Sequence, residues 1–150
     1  MIKLRLCLML LVCASRYAYG DDDAVRNLAG QWRWDVRNGD TQVYRINASG
    51  DGAFEMRWMR EERADGARRI CPCEDVYTGA IKASTVSGTF FVTHNYQAWG
   101  CGIMRVRGTF TGRILDDGTL IRINTRTDPE SSCALTKEGR SSELLLQKIR

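Results

Sequence analysis

The chain has 150 residues, 43% of them hydrophobic and 27% charged, with a formal net charge of +4. That length suits one domain. Acids and bases are intermixed, which excludes the contiguous basic run that a phosphate-gripping nucleic-acid partner would need, and with 2 Pro and no biased tract there is no linker to divide the chain.

Residues 1–20 read as a signal peptide. Lys3 and Arg5 form a positive start, and residues 4–12 are apolar apart from Arg5. That run matches a signal-peptide core and falls well short of the roughly 20 residues a membrane helix requires. Ala18 and Gly20 place small residues where a signal peptidase reads, so cleavage is expected before Asp21, leaving 21–150 as a single domain. Lys3, Arg5 and Arg16 leave with the segment and no acid does, so 19 bases face 18 acids in the remainder, a net charge of +1. The expected location is secreted or periplasmic.

Asp21, Asp22 and Asp23 open the remainder, and residues 21–29 have the makings of a helical turn across one end of the fold. The first strand pattern is residues 30–36. Trp32, Trp34 and Val36 fall on one face, and Gln31, Arg33 and Asp35 on the other. Asn38-Gly39 is a tight hairpin signal. Residues 41–47 alternate again, with Tyr44 and Ile46 together. A turn around Gly50-Asp51-Gly52 leads into residues 53–60, where Phe54, Met56 and Trp58 point one way and Glu55 and Arg57 the other.

A polar loop, 61–74, follows, its charges mixed in sign as a solvated loop's are. Further strands are expected at 75–83, 88–94, 102–114, 119–126 and 141–150, with turns at 84–87 and 115–118 and irregular loops at 95–101 and 127–140. The strand at 102–114 is expected to bend at Gly108 or Gly112. Eight short strands at even spacing, with no amphipathic helix, predict an all-β fold: an eight-stranded antiparallel up-and-down barrel.

The cysteines support that topology. Cys7 and Cys13 leave with the signal, and Cys71, Cys73, Cys101 and Cys133 remain. An even number in an exported chain predicts two disulfides. In a meander the short turns fall at one end and the long loops at the other, so all four cysteines gather in the long loops and staple that end. A Cys71–Cys73 ring across one residue is disfavoured by strain, so Cys71 and Cys73 are expected to pair with Cys101 and Cys133 in either order. No metal and no cofactor are expected: zinc would need the thiolates reduced, and His94 is the only histidine. A redox Cys-x-Cys centre lacks its strand–helix context.

Gly30-Gln31-Trp32 at the start of the first strand resembles the Gly-x-Trp opening of calycin barrels, the group of lipocalins, avidins and bacterial periplasmic metalloprotease inhibitors. The likeness covers residues 24–44. It implies a small barrel that binds something, and an arginine near the chain's end packed over the tryptophan, with Arg140 and Arg150 as candidates.

The inward residues are large: Trp34, Tyr44, Phe54, Met56, Trp58, Phe90, Met104 and Phe110. They are expected to fill much of the lumen, since an eight-strand barrel is just wide enough for its own side chains or one small ligand. A non-enzymatic role is expected, because no carboxylate pair, phosphate loop or nucleophile constellation stands out. The expected function is inhibitor-like binding of a protein partner through the stapled loops, with Tyr96 and Trp99 as anchors and Arg68 and Arg69 flanking them. Carriage of a small apolar ligand in the lumen is the alternative. No nucleic acid and no membrane span are expected.

Overall fold

The computed structural model describes residues 25, 27–36, 38–69, 75–95, 97, 100–129, 133 and 138–150. The expected signal segment, Asp21 to Asp23, Cys71, Cys73, Tyr96 and Trp99 lie outside them. Among the described residues there are nine strands: β1 (Gly30–Asp35), β2 (Thr41–Ala48), β3 (Ala53–Glu62), β4 (Arg68–Arg69), β5 (Val76–Lys82), β6 (Thr85–Asn95), β7 (Ile103–Leu115), β8 (Leu120–Thr127) and β9 (Ser141–Lys148). β4 is a two-residue return that pairs only with β3. The other eight pair antiparallel in chain order, and β9 closes on β1 at Trp32–Lys148 and Arg33–Gln147. The protein is therefore an eight-stranded, up-and-down, closed β-barrel.

Several boundaries differ from the sequence expectation. The turn expected at 84–87 is the pair Ala83-Ser84, and β6 begins at Thr85. Ala83 supplies the positive φ of 53° that the tight turn needs, so no Gly or Asn marks it. Much of the 61–74 loop is ordered as a hairpin, with Arg63 N–H donating to Ala67 O at 2.8 Å. Gly108 and Gly112, named as bend positions from the sequence, are points of close packing. A Cβ on Gly108 would sit 2.1 Å from Arg126 O and 2.6 Å from a Phe90 ring carbon. Gly108 faces Phe90 across the ladder, so the bare backbone is what lets that ring lie flat against β7.

The core fills the lower part of the barrel. Trp32 is fully buried, with Ile46, Met56, Val86, Ile121, Ile123 and Leu146 around it. Phe110 is the hub of the middle layer, 5.8 Å from Phe54 and 5.6 Å from Tyr77, whose ring stacks on Phe90 at 5.3 Å. Val25, Asn27 and Leu28 form the helical turn across this end. Leu28 is buried, and its carbonyl accepts from Trp32 Nε1 at 2.9 Å. The cation over the Trp32 ring is neither Arg140 nor Arg150. It is Lys148, 5.9 Å from the ring centroid, whose ammonium also donates to Asn27 O. β9 places Lys148 opposite Trp32, a register that spacing from the chain's end could not provide.

Candidate functional site

All long connections leave the barrel at the end opposite Trp32. The expected staple is there, with different partners. Cys101, before β7, is bonded to Cys133, between β8 and β9. This corrects the expected pairing of Cys71 and Cys73 with Cys101 and Cys133. The loops after β6 and β8 bring Cys101 and Cys133 within 5.6 Å, Cα to Cα, and each uses up the other.

The expectation of a filled lumen is corrected at this end too. Between the middle layer and the loops the barrel holds an open cup of about 390 Å³. Tyr44, Tyr77, Phe90 and Leu144 are buried and form its floor, while Trp34 and Trp58 are only partly buried and make its aromatic walls. Thr125, Thr127 and Ser142 supply hydroxyls on the β8–β9 side, and Gln42, Glu61 and Asp75 line the cup from β2, β3 and the approach to β5. The large inward residues run out of barrel: β7 and β8 supply Gly108, Thr125 and Thr127 where a full core would need further rings.

Glu61 reaches the cup through a β-bulge. β3 pairs Tyr44 with Trp58 but Val43 with Arg60, leaving Met59 as an extra residue. Strict alternation from Phe54, Met56 and Trp58 would turn Arg60 inward. The bulge reverses the phase, so Glu61 faces in and Arg60 faces out, where it bonds Glu62 at 2.8 Å. A one-residue shift thus exchanges a base for an acid in the lining.

The floor carries two phenols with different fates. Tyr44 donates to Gln42 Oε1 at 2.7 Å, whereas the Tyr77 hydroxyl has no protein partner among the described residues. No buried side-chain polar atom is left without a partner there, so the Tyr77 hydroxyl opens onto the cup. Burial, then the neighbouring Tyr77 and the Asp75 charge, hold the Tyr44 hydroxyl well above its usual pKa. Burial and Asp75 do the same for Tyr77. Both therefore stay protonated as neutral donors at any physiological pH. Asp75 Oδ1 accepts from Thr93 N at 2.6 Å, which fixes the carboxylate at the mouth.

Of the four expected contact residues, Tyr96 and Trp99 lie outside the described residues. Arg68 is exposed on β4, 4.0 Å from Glu62. Arg69 is paired through its backbone with Glu61. The two arginines therefore stand on the return hairpin beside the cup. The cup residues Trp34, Tyr77, Asp75 and Thr125 were not anticipated as a site. Their signal was the pairing of large inward residues on β1–β6 with Gly108 on β7 and the polar inward residues Thr125, Thr127 and Ser142 at the upper ends of β8 and β9.

Among the described residues no group of His, Cys, Asp or Glu could hold a metal ion, and no helix is long and apolar enough to cross a membrane. The fold and cup define a class: a closed up-and-down barrel packed at one end and, among the described residues, open at the other, where a disulfide links two loops. No known protein-family profile, no curated protein and no solved structure matches the chain.

Proposed function

We propose that this is an exported, non-catalytic, calycin-like binding protein that holds a small amphipathic molecule in the cup. The observation that carries this reading is the cup itself. At about 390 Å³ it lies in the size range of small-molecule pockets, roughly 300–1,000 Å³, and it combines aromatic walls with a few convergent polar groups. The Tyr77 hydroxyl is a ready donor, and Glu61 and Asp75 favour an uncharged or cationic polar end over a carboxylate. The Cys101–Cys133 bond supports an oxidising compartment. Gly30-Gln31-Trp32, with its buried tryptophan under a cation, supports the calycin likeness. The test is titration of the purified protein with two fluorescent probes of equal chain length, an alkyl amine and a fatty acid. Saturable binding of the amine probe is expected, and Val92→Phe, which adds a ring to the cup, should abolish it. A flat titration with both probes would refute the carrier reading.

A protein partner at the stapled end is the second reading. Ile103, 67% exposed two residues after Cys101, favours it, because a large apolar side chain held out beside a disulfide is a low-entropy anchor. Recovery of one partner from the exported protein fraction, lost in an Ile103→Asp variant and in a Tyr96→Ala, Trp99→Ala variant, would support it. Equal recovery by all three proteins would count against it.

A further inference from the structure

We propose that the outer face of β5–β8 is a binding surface for a linear acidic polysaccharide carrying sulfate or carboxylate groups. The net charge of the whole chain conceals a strong asymmetry. β5, β6, β7 and β8 contain Lys82, Arg105, Arg107, Arg113, Arg122 and Arg126 and not one Asp or Glu. All five arginines are exposed, because each occupies an outward position between buried inward residues.

The ladder gathers them into a strip. Arg126 is paired with Thr109, between Arg107 and Arg113 on the neighbouring strand, and Arg122 lies directly opposite Arg113. From Arg105 to Arg113 the strip is roughly 27 Å long, at about 3.3–3.4 Å per residue. Like charges directly opposite on a ladder are unfavourable, yet among the described residues most of them find no counter-charge. There Arg105, Arg107, Arg113 and Arg126 make no ion pair, and Arg122 reaches Glu143 on β9 only at 3.8 Å. On the opposite wall the pattern differs: Arg57 meets Glu55 at 2.9 Å and Arg60 meets Glu62 at 2.8 Å.

The chemistry of the surface selects among polyanions. Every cation on β7 and β8 is an arginine, whose planar fork matches sulfate and carboxylate oxygens two at a time. A shallow depression beside Arg107 is lined by Thr78, Thr89, Thr109 and Phe91, with Asp128 as its carboxylate. Threonine hydroxyls both donate and accept, as sugar hydroxyls do. Single-stranded nucleic acid is disfavoured, because it needs a series of open aromatic faces for its bases. Phe91 is the aromatic of this face, and guanidiniums of Arg105 and Arg107 lie 5.6 and 5.7 Å from its ring. This surface is separate from the cup and does not depend on what the cup holds.

The test measures binding of the purified protein to heparin, a sulfated glycan, and to a single-stranded oligodeoxynucleotide of matched charge, across a salt series. Heparin is expected to bind tighter. In Arg105→Gln, Arg107→Gln, Arg113→Gln, Arg126→Gln the affinity at 0.1 M salt should fall at least about 100-fold, and the slope of log K against log salt should shrink by about three. The control removes as many charges from other faces: Arg33→Gln, Arg45→Gln, Arg57→Gln, Arg63→Gln. It should lose far less, and circular dichroism should show both variants folded. Equal losses in the two variants would overturn the surface. No heparin binding by the parent would do the same, and tighter binding of the oligonucleotide would replace the glycan with a nucleic acid.

Discussion

Replacing both Cys101 and Cys133 with Ser removes the covalent link between the loops after β6 and β8 without leaving a thiol to exchange with Cys71 or Cys73. The bridged residues are 32 apart in sequence. In the chain-entropy relation, closing a loop of that length in the unfolded chain corresponds to about 3.7 kcal/mol at 25 °C. Each kcal/mol lowers Tm by about 4 °C for a domain of this size, so the double variant should melt about 15 °C below the parent. Urea unfolding followed by tryptophan emission gives the same quantity independently. The m-value should rise, because the unlinked chain exposes more surface when it unfolds. Intact mass with and without alkylation establishes that the parent bond is present. A stability loss below about 1 kcal/mol would refute the reasoning. So would a peptide map joining Cys101 or Cys133 to Cys71 or Cys73.

Gly108→Val should cost about 3 kcal/mol in urea, since its side chain would be forced into Arg126 O and the Phe90 ring. Trp32→Phe should cost about 2 kcal/mol, because it leaves the Leu28 carbonyl without its donor at the sealed end of the barrel. Tyr44 and Tyr77 have pKa values raised on folding, so their contribution to stability is complete below the unfolded value of about 10 and is lost as pH rises through the folded values. Urea midpoints should therefore be insensitive to these groups up to about pH 9 and fall above about pH 10, and Tyr77→Phe should lessen the fall. Glu61→Gln removes the carboxylate that the bulge turns inward. The preference between amine and fatty-acid probes should then move toward the fatty acid by about tenfold, or about 1.4 kcal/mol, and an unchanged preference would show that Glu61 does not set the lining charge.

Much of the barrel was legible in the sequence because a strand's inward and outward faces alternate residue by residue. Phe54-x-Met56-x-Trp58 and Ile121-x-Ile123 announce their buried faces without any partner strand, and the even spacing of such segments, with short turns alternating with long loops, already implies a meander. The end at which cysteines collect follows from the same alternation. Three things were not legible. The phase of alternation breaks at Met59, and a bulge is a property of two strands in register, so nothing local distinguishes Arg60 from Glu61 as the inward residue. Which cysteines meet depends on how the loops leave the rim, not on how many residues separate them. Along the chain, charge is mixed in sign, as in the run from Arg60 to Arg69. The concentrated basic face lies instead at every second residue of β7 and β8 and is assembled only when the ladder sets Arg122 beside Arg113. Local spacing alone determined that the chain makes strands and, away from the bulge at Met59, which residues face the core. The depth of the lumen, the sign of its lining and the grouping of surface charge were decided by pairing between distant strands, because each depends on which residues become neighbours across a ladder.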